Sequence, residues 1–229
     1  MSQAAPPDAA PGPGVSPACM VCRSEHTRHL LEVDARAYWR CRTCEATFLD
    51  SRHWPSADAE RAEYDRHQNA INDPGYRAFL RPAQEALEGR IRPAADILDY
   101  GCGPGPALAA MLAEKGHRVS RFDPLYYPDS GALERDYDAI TGTEVAEHFH
   151  DPAAEFRRLN QLLRPGGWLV VMTRFQTDDN RFANWHYRRD PTHVVFYRPA
   201  SFEVIAGRFG WSTDIRPPNL ALIQKATES

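Results

Sequence analysis

Residues 96–105, Asp-Ile-Leu-Asp-Tyr-Gly-Cys-Gly-Pro-Gly, narrow the folds open to this chain more than any other stretch. A short apolar run ends in an acid, and glycines then alternate at 101, 103 and 105. Alternate glycines leave the backbone bare where a chain leaves a sheet, so a ligand can lie against main-chain N–H groups without meeting a Cβ. Ala107 to Leu112 is a good helix former, stopped by Gly116. Strand, bare turn and helix together predict the opening unit of an α/β domain that holds a nucleotide-like ligand.

The later segments extend that unit. Val119–Asp123 predicts a second strand ending in an acid, placed so that one carboxylate accepts from both hydroxyls of a ribose. Tyr137–His148 runs from a strand into an acidic segment. Asp151-Pro152 supplies an N-cap and a first-turn proline for a helix with Phe156, Leu159, Leu162 and Leu163 on its apolar face. Leu163–Gly167 turns the chain into a buried-type strand at Trp168–Thr173. A helix over 201–210 and strands over 212–216 and 220–224 complete the pattern.

In the order and spacing of these motifs, roughly the last 135 residues resemble the class I S-adenosylmethionine-dependent methyltransferases. A dinucleotide site wants GxGxxG, so that a pyrophosphate sits on the helix N-terminus, whereas the spacing here is GxGxG. The resemblance implies a Rossmann-like α/β fold with a seven-stranded sheet and helices on both faces. It also implies S-adenosylmethionine as cofactor, contacted by Asp99, Gly101, Cys102, Gly103, Gly105, Asp123, Thr143 and Glu144. Only Pro124–Asp136 separate the second strand from the fourth, so the acid that usually follows a third strand has no clear counterpart.

Four of the five cysteines form Cys19-x2-Cys22 and Cys41-x2-Cys44 with eighteen residues between the pairs, a zinc-ribbon spacing. Residues 30–33 and 37–40 supply the hairpin that brings the pairs together. Four thiolates close the coordination sphere, so the zinc is expected to be structural, in a module whose core is separate from that of the main domain. Cys102 lies in the glycine turn and reads as a small wall residue. The ribbon carries five arginines against three acids, and four thiolates on one Zn2+ contribute two negative charges. That near-neutral balance, with a formal net charge of −4 for the whole chain, favours neither nucleic acid nor a membrane surface. No apolar run approaches the ~20 residues that span a bilayer, and residues 1–17 lack the basic start and apolar centre of a secretory signal. A cytoplasmic location is expected.

The expected organisation is a disordered tail over 1–17, a zinc ribbon over 18–54, a helical linker or lid over 55–92 and the methyltransferase domain over 93–229. The lid reads as two helices broken at Asn72–Gly75, with Tyr64 and His67 on the first and Tyr76, Phe79 and Leu80 on the second. Residues 174–193 form a polar insertion whose arginines and aromatics suit an anionic or planar substrate, or a solvated loop pinned by Trp185.

The chain lacks the Asn/Asp-Pro-Pro-aromatic signature of amino-group methylation and the Pro-Cys nucleophile of pyrimidine C5 methylation. Glu144-x-x-Glu147-His148 would place three side chains on one face of a helical turn. The segment resembles ubiquinone-pathway O-methyltransferases and small-RNA 2′-O-methyltransferases, which implies a divalent ion, Mg2+ or Mn2+, on Glu144, Glu147, His148 and His193. The metal-free alternative makes His148 or His193 the base and Glu147 its catalytic partner. The reading is a methyltransferase acting on a hydroxyl of a small molecule. An RNA 2′-O-methyltransferase and a non-catalytic zinc-ribbon binding protein on a cofactor-binding scaffold are the alternatives.

Overall fold

The computed structural model describes residues 16–66 and 70–227, so His67 and almost all of the expected tail lie outside the described residues. The chain opens with an antiparallel hairpin, β1 (Thr27–Val33) and β2 (Arg36–Cys41). Asp34 and Ala35 at its tip have φ of 54° and 56°, the mirror-image turn whose twist matches the flanking strands. β3 (Thr47–Leu49) pairs with β2, and two helices follow, α1 (Ala57–Tyr64) and α2 (Pro74–Leu87). Asp73 caps the second by accepting from Tyr76 N at 2.6 Å, with Pro74 in the first turn.

The glycine-turn unit appears as β4 (Asp96–Tyr100), α3 (Ala107–Glu114) and β5 (Arg118–Phe122). It continues through β6 (Tyr137–Thr143), α4 (Pro152–Leu162) and β7 (Leu163–Met172). The insertion folds into two short helices, α5 (Asp179–Phe182) and α6 (His186–Arg189), before β8 (Val195–Phe196). α7 (Pro199–Phe209), β9 (Ser212–Arg216) and β10 (Leu220–Gln224) close the chain.

The central sheet runs β5-β4-β6-β7-β10-β9, with the first four strands parallel and β10 antiparallel to both neighbours. It has six strands among the described residues, where seven were expected. The chain from 124 to 136 holds only a 3-10 turn at Ser130–Leu133. A parallel crossover consumes about a dozen residues, so the passage from β5 to β6 leaves none over for the missing strand.

Alternate residues along each strand feed two layers of core. Ile97, Ala139, Val170 and Leu222 meet Leu80, Leu87, Leu108 and Met111 of α2 and α3. Leu98, Ile140, Leu169 and Ile223 meet Phe156, Leu159, Phe202 and Ile205 of α4 and α7. Met20, Tyr38, Phe48 and Leu49 of the ribbon belong to that second cluster, so the separate ribbon core expected from the sequence is corrected to a shared one. Backbone pairing makes the same join. β3 pairs with β8, in a second sheet of order β1-β2-β3-β8. Ser201 Oγ donates to the Cys44 carbonyl at 2.8 Å, and the Arg208 guanidinium to the Cys22 carbonyl.

The insertion is the dock for this module. Phe182 packs edge-on against Tyr38 with ring centres 5.1 Å apart, and buried Arg188 reaches Asp34 at 2.8 Å. Asp179 pairs with Arg28, Arg40 and Arg198. These groups answer one another across the ribbon contact, which replaces the reading of Arg188 as part of a substrate surface.

Candidate active site

A cavity of about 820 Å3 opens at the carboxyl ends of β4, β5 and β6, roofed by Tyr64 of α1 and by Tyr76, Phe79 and Leu80 of α2. All eight residues expected at the cofactor line it, from Asp99 and the glycine turn to Asp123, Thr143 and Glu144. Gly101 has φ of 71°, and a Cβ there would lie 2.1 Å from Val145 Cγ2, so the turn closes only on glycine. Gly103, with φ of 61°, instead faces open space, where a side chain would enter the cavity.

Two carboxylates, Asp99 and Asp123, flank the turn. Asp123 Oδ2 accepts from Gly103 N at 3.0 Å, while Oδ1 accepts from Leu125 N at 2.9 Å and Tyr126 N at 3.1 Å. One acid thus ties the end of β5 to the glycine turn of β4. Asp99 is 2% exposed and accepts from Thr141 Oγ1 at 2.8 Å. Burial pushes its carboxyl up to about 6, so neutral pH leaves a negative charge facing a space with few counter-charges. Burial and the charges of Asp99 and Asp123 push the Cys102 thiol up, which keeps it protonated and inert as a nucleophile.

Beside this cradle, Glu147, His148 and His193 each offer one donor atom within 4.8 Å of the others. Glu147 and His148 sit on a 3-10 turn, Ala146–His148, after β6. The ribbon sheet holds His193 opposite them: Val194 N donates to the Glu147 carbonyl at 2.9 Å and Leu49 N to the Val194 carbonyl at 2.8 Å. His148 Nδ1 lies 3.0 Å from the Thr192 carbonyl and His193 Nδ1 2.6 Å from the Tyr187 carbonyl. A carbonyl only accepts, so Nδ1 carries a proton in both rings, which leaves Nε2 as the acceptor of a neutral imidazole. His193 Nε2 lies 3.7 Å from Asp190 Oδ2 and 4.0 Å from Glu147 Oε1. Burial lowers the affinity of His193 for a second proton.

Glu144 does not join these three, and the expected four-donor group is corrected to three among the described residues. Its φ of 49° takes it out of helical register with Glu147 and His148, and its carboxylate reaches the Tyr187 hydroxyl at 3.3 Å. Glu147 is fully buried, with Oε1 accepting from that same hydroxyl and Oε2 lacking any hydrogen-bond partner. Tyr187 was legible only as one of the insertion's aromatics, and its place beside Glu147 was not, because the insertion shows no periodicity that would aim a side chain inward.

The four ribbon cysteines are buried, with Sγ atoms 3.6 Å apart for Cys19 and Cys44 and 3.5 Å for Cys22 and Cys41. Zinc–sulfur bonds of about 2.3 Å in a tetrahedron give sulfur–sulfur edges of about 3.8 Å. Cys22 N donates to Cys19 Sγ at 3.4 Å and Thr43 N to Cys41 Sγ at 3.3 Å, bonds that favour thiolates. The donor set therefore fits zinc and leaves no position open.

Among the described residues, no helix is long and apolar enough to cross a membrane. The chain is 32% identical to a ubiquinone biosynthesis O-methyltransferase of Nitrosospira multiformis, over 34% of this chain and 42% of that one. It is 33% identical to the corresponding protein of Xanthomonas axonopodis pv. citri, over 41% and 50%. It thus spans about two-fifths to half the length of these curated relatives. The fold matches a Burkholderia thailandensis 1,6-didemethyltoxoflavin-N1-methyltransferase solved with 1,6-didemethyltoxoflavin and S-adenosylhomocysteine. The TM-score is 0.54 at 17% identity, covering 85% of this chain and 97% of that one. An O-methyltransferase family protein from the same organism matches with a TM-score of 0.52 at 17% identity, covering 77% and 65%. A methyltransferase-domain family model covers residues 63–214, well over half of the chain and all four parallel strands of the sheet that carries the cavity, so the chain belongs to the methyltransferase-domain family.

Proposed function

We propose that this protein transfers the methyl group of S-adenosylmethionine to a hydroxyl of a small molecule. The observation that carries the reading is one cavity lined by both the bare glycine turn and two histidines whose Nδ1 atoms are held by backbone carbonyls. In the reaction, the acceptor oxygen attacks the methyl carbon in line with the carbon–sulfur bond. That bond breaks, its electron pair stays on sulfur, and the hydroxyl proton passes to a base. Positioning and proton removal are what the protein supplies. Asp99 and the turn would hold the methionine part and Asp123 the ribose, while His148 or His193 takes the proton. The relatives' names support hydroxyl chemistry, and a cavity of about 820 Å3 has room for cofactor and a small acceptor together.

The ribbon's four thiolates would hold a structural zinc. A divalent cation, Mg2+ or Mn2+, on Glu147, His148 and His193 is the second reading. It is favoured by the buried Glu147 Oε2 that no protein group satisfies and by the Nδ1–carbonyl bonds that aim both imidazoles. Such an ion would supply Lewis acidity to the acceptor oxygen.

Methyl-labelled S-adenosylmethionine incubated with extracts of the source cells tests the assignment. Label in a small-molecule fraction is expected. Label in RNA would select the 2′-O-methyltransferase alternative, and no label despite tight cofactor binding would select a non-catalytic scaffold.

Asp99 adds a prediction from pH. A sulfonium and an ammonium favour the ionised carboxylate, so affinity for S-adenosylmethionine should fall as pH drops through about 6. Calorimetry at several pH values should show that this part of the fall disappears in Asp99→Asn. An identical fall in the variant would place the titrating group elsewhere.

A further inference from the structure

Glu147 and His193 approach from different elements, one following β6 and the other following the insertion, yet their donor atoms meet. Tyr187 touches both. Its hydroxyl has one hydrogen, and the nearest acceptor is Glu147 Oε1, with Glu144 Oε2 farther away at 3.3 Å. Arg174 N donates to the same hydroxyl oxygen at 3.3 Å, which ties that oxygen to the main chain just after β7, and Thr173 Oγ1 lies 3.1 Å from it. The Tyr187 carbonyl receives His193 Nδ1 at 2.6 Å. The ring lies against that imidazole with centres 4.2 Å apart and is 8% exposed, so it has little freedom to move.

We propose that Tyr187 is the positioning residue of this site, its hydroxyl orienting Glu147 and its carbonyl orienting His193 so that both present donor atoms to one bound cation. The inference rests on the cation reading given above and adds to it the group that sets the donor spacing. The phenol holds Glu147 Oε1, the oxygen that lies 4.0 Å from His193 Nε2, so the carboxylate keeps one rotamer while Oε2 has no hydrogen-bond partner. With Nδ1 engaged by the carbonyl, His193 is held in the tautomer whose Nε2 accepts a metal. A residue that orients two donors from the insertion also explains why a segment otherwise committed to the ribbon contact reaches into the cavity.

Mn2+ titration of the full-length, zinc-loaded protein, followed by water-proton relaxation, tests this. Tyr187→Phe keeps the ring and the carbonyl but frees Glu147, and should weaken Mn2+ binding about 10- to 100-fold, the usual effect of losing a partner behind a metal ligand. Affinity for S-adenosylhomocysteine should stay within about twofold. Thr173→Val removes a different neighbour of the same hydroxyl and should leave Mn2+ affinity within about threefold. Equal Mn2+ affinity in wild type and Tyr187→Phe, or equal weakening by both variants, would overturn the role of Tyr187. No Mn2+ binding by wild type would overturn the cation reading, and the inference with it. A further check needs no variant: nitrogen-15 spectra of the wild-type histidines should show His193 protonated on Nδ1, and a proton on Nε2 alone would rule the arrangement out.

Discussion

Cys41→Ser is expected to abolish cofactor binding as well as the ribbon. Read as a module with its own core, the ribbon would melt alone. The structure joins it to the α4 and α7 face through one buried cluster, and joins β3 to β8 immediately beyond His193. A structural zinc contributes on the order of 10 kcal/mol in small domains, comparable to the ~5–15 kcal/mol that holds a whole domain folded. Losing a ligand should therefore release the metal and destabilise both layers together. Thermal unfolding of the wild type, followed by a zinc-sensitive dye, should show metal release and loss of S-adenosylhomocysteine protection in a single transition, and Cys41→Ser should unfold at a temperature lower by well over ~10 °C. Two separate transitions, with cofactor affinity intact after the first, would show that the shared core is not cooperative.

Glu147→Gln and His193→Ala should each lower methyl transfer by roughly 10^2- to 10^4-fold, the range lost when a positioned proton-transfer group or its partner is removed. Glu147 is fully buried, so the amide occupies the same space but brings two N–H donors where the carboxylate only accepted. His193→Ala removes the Nε2 that lies 4.0 Å from Glu147 Oε1. Neither residue belongs to the glycine turn, and calorimetry should find S-adenosylhomocysteine binding within about twofold of wild type. Turnover of labelled donor is the readout. Full activity in both variants would leave His148 as the base acting without them.

The parts that local chemistry determines were legible in the residues. β9 and β10 begin and end where expected because Pro217, Pro218 and Asn219 separate the segment that ends at Arg216 from the apolar run that starts at Leu220. The hairpin between the cysteine pairs follows from Asp34 and Ala35 at its tip, and the cradle from glycines that no other residue replaces at 101. What stayed hidden depends on contacts between distant segments. β8 is two residues long and exists because β3 pairs with it, which no periodicity announces. Glu144 looked like a partner of Glu147 and His148 by spacing alone, but its left-handed backbone turns it aside. Arg188 looked like part of a substrate surface, but Asp34 of the ribbon answers it, and Asp179 of the insertion answers Arg40 of the ribbon. His193 was legible as a residue, whereas its placement depends on the ribbon sheet.

The central claim, that the cavity over the glycine turn holds S-adenosylmethionine for methyl transfer, is tested most directly by calorimetric titration with S-adenosylhomocysteine. Wild type should bind one equivalent. Gly103→Val, which places a branched side chain into open cavity at a positive φ, should reduce binding to an undetectable level. Asp123→Ala should weaken it by about 1.5–3 kcal/mol, the value of hydrogen bonds to a charged group, or roughly 10- to 150-fold. No binding by wild type, or affinity equal to wild type in both variants, would contradict the assignment.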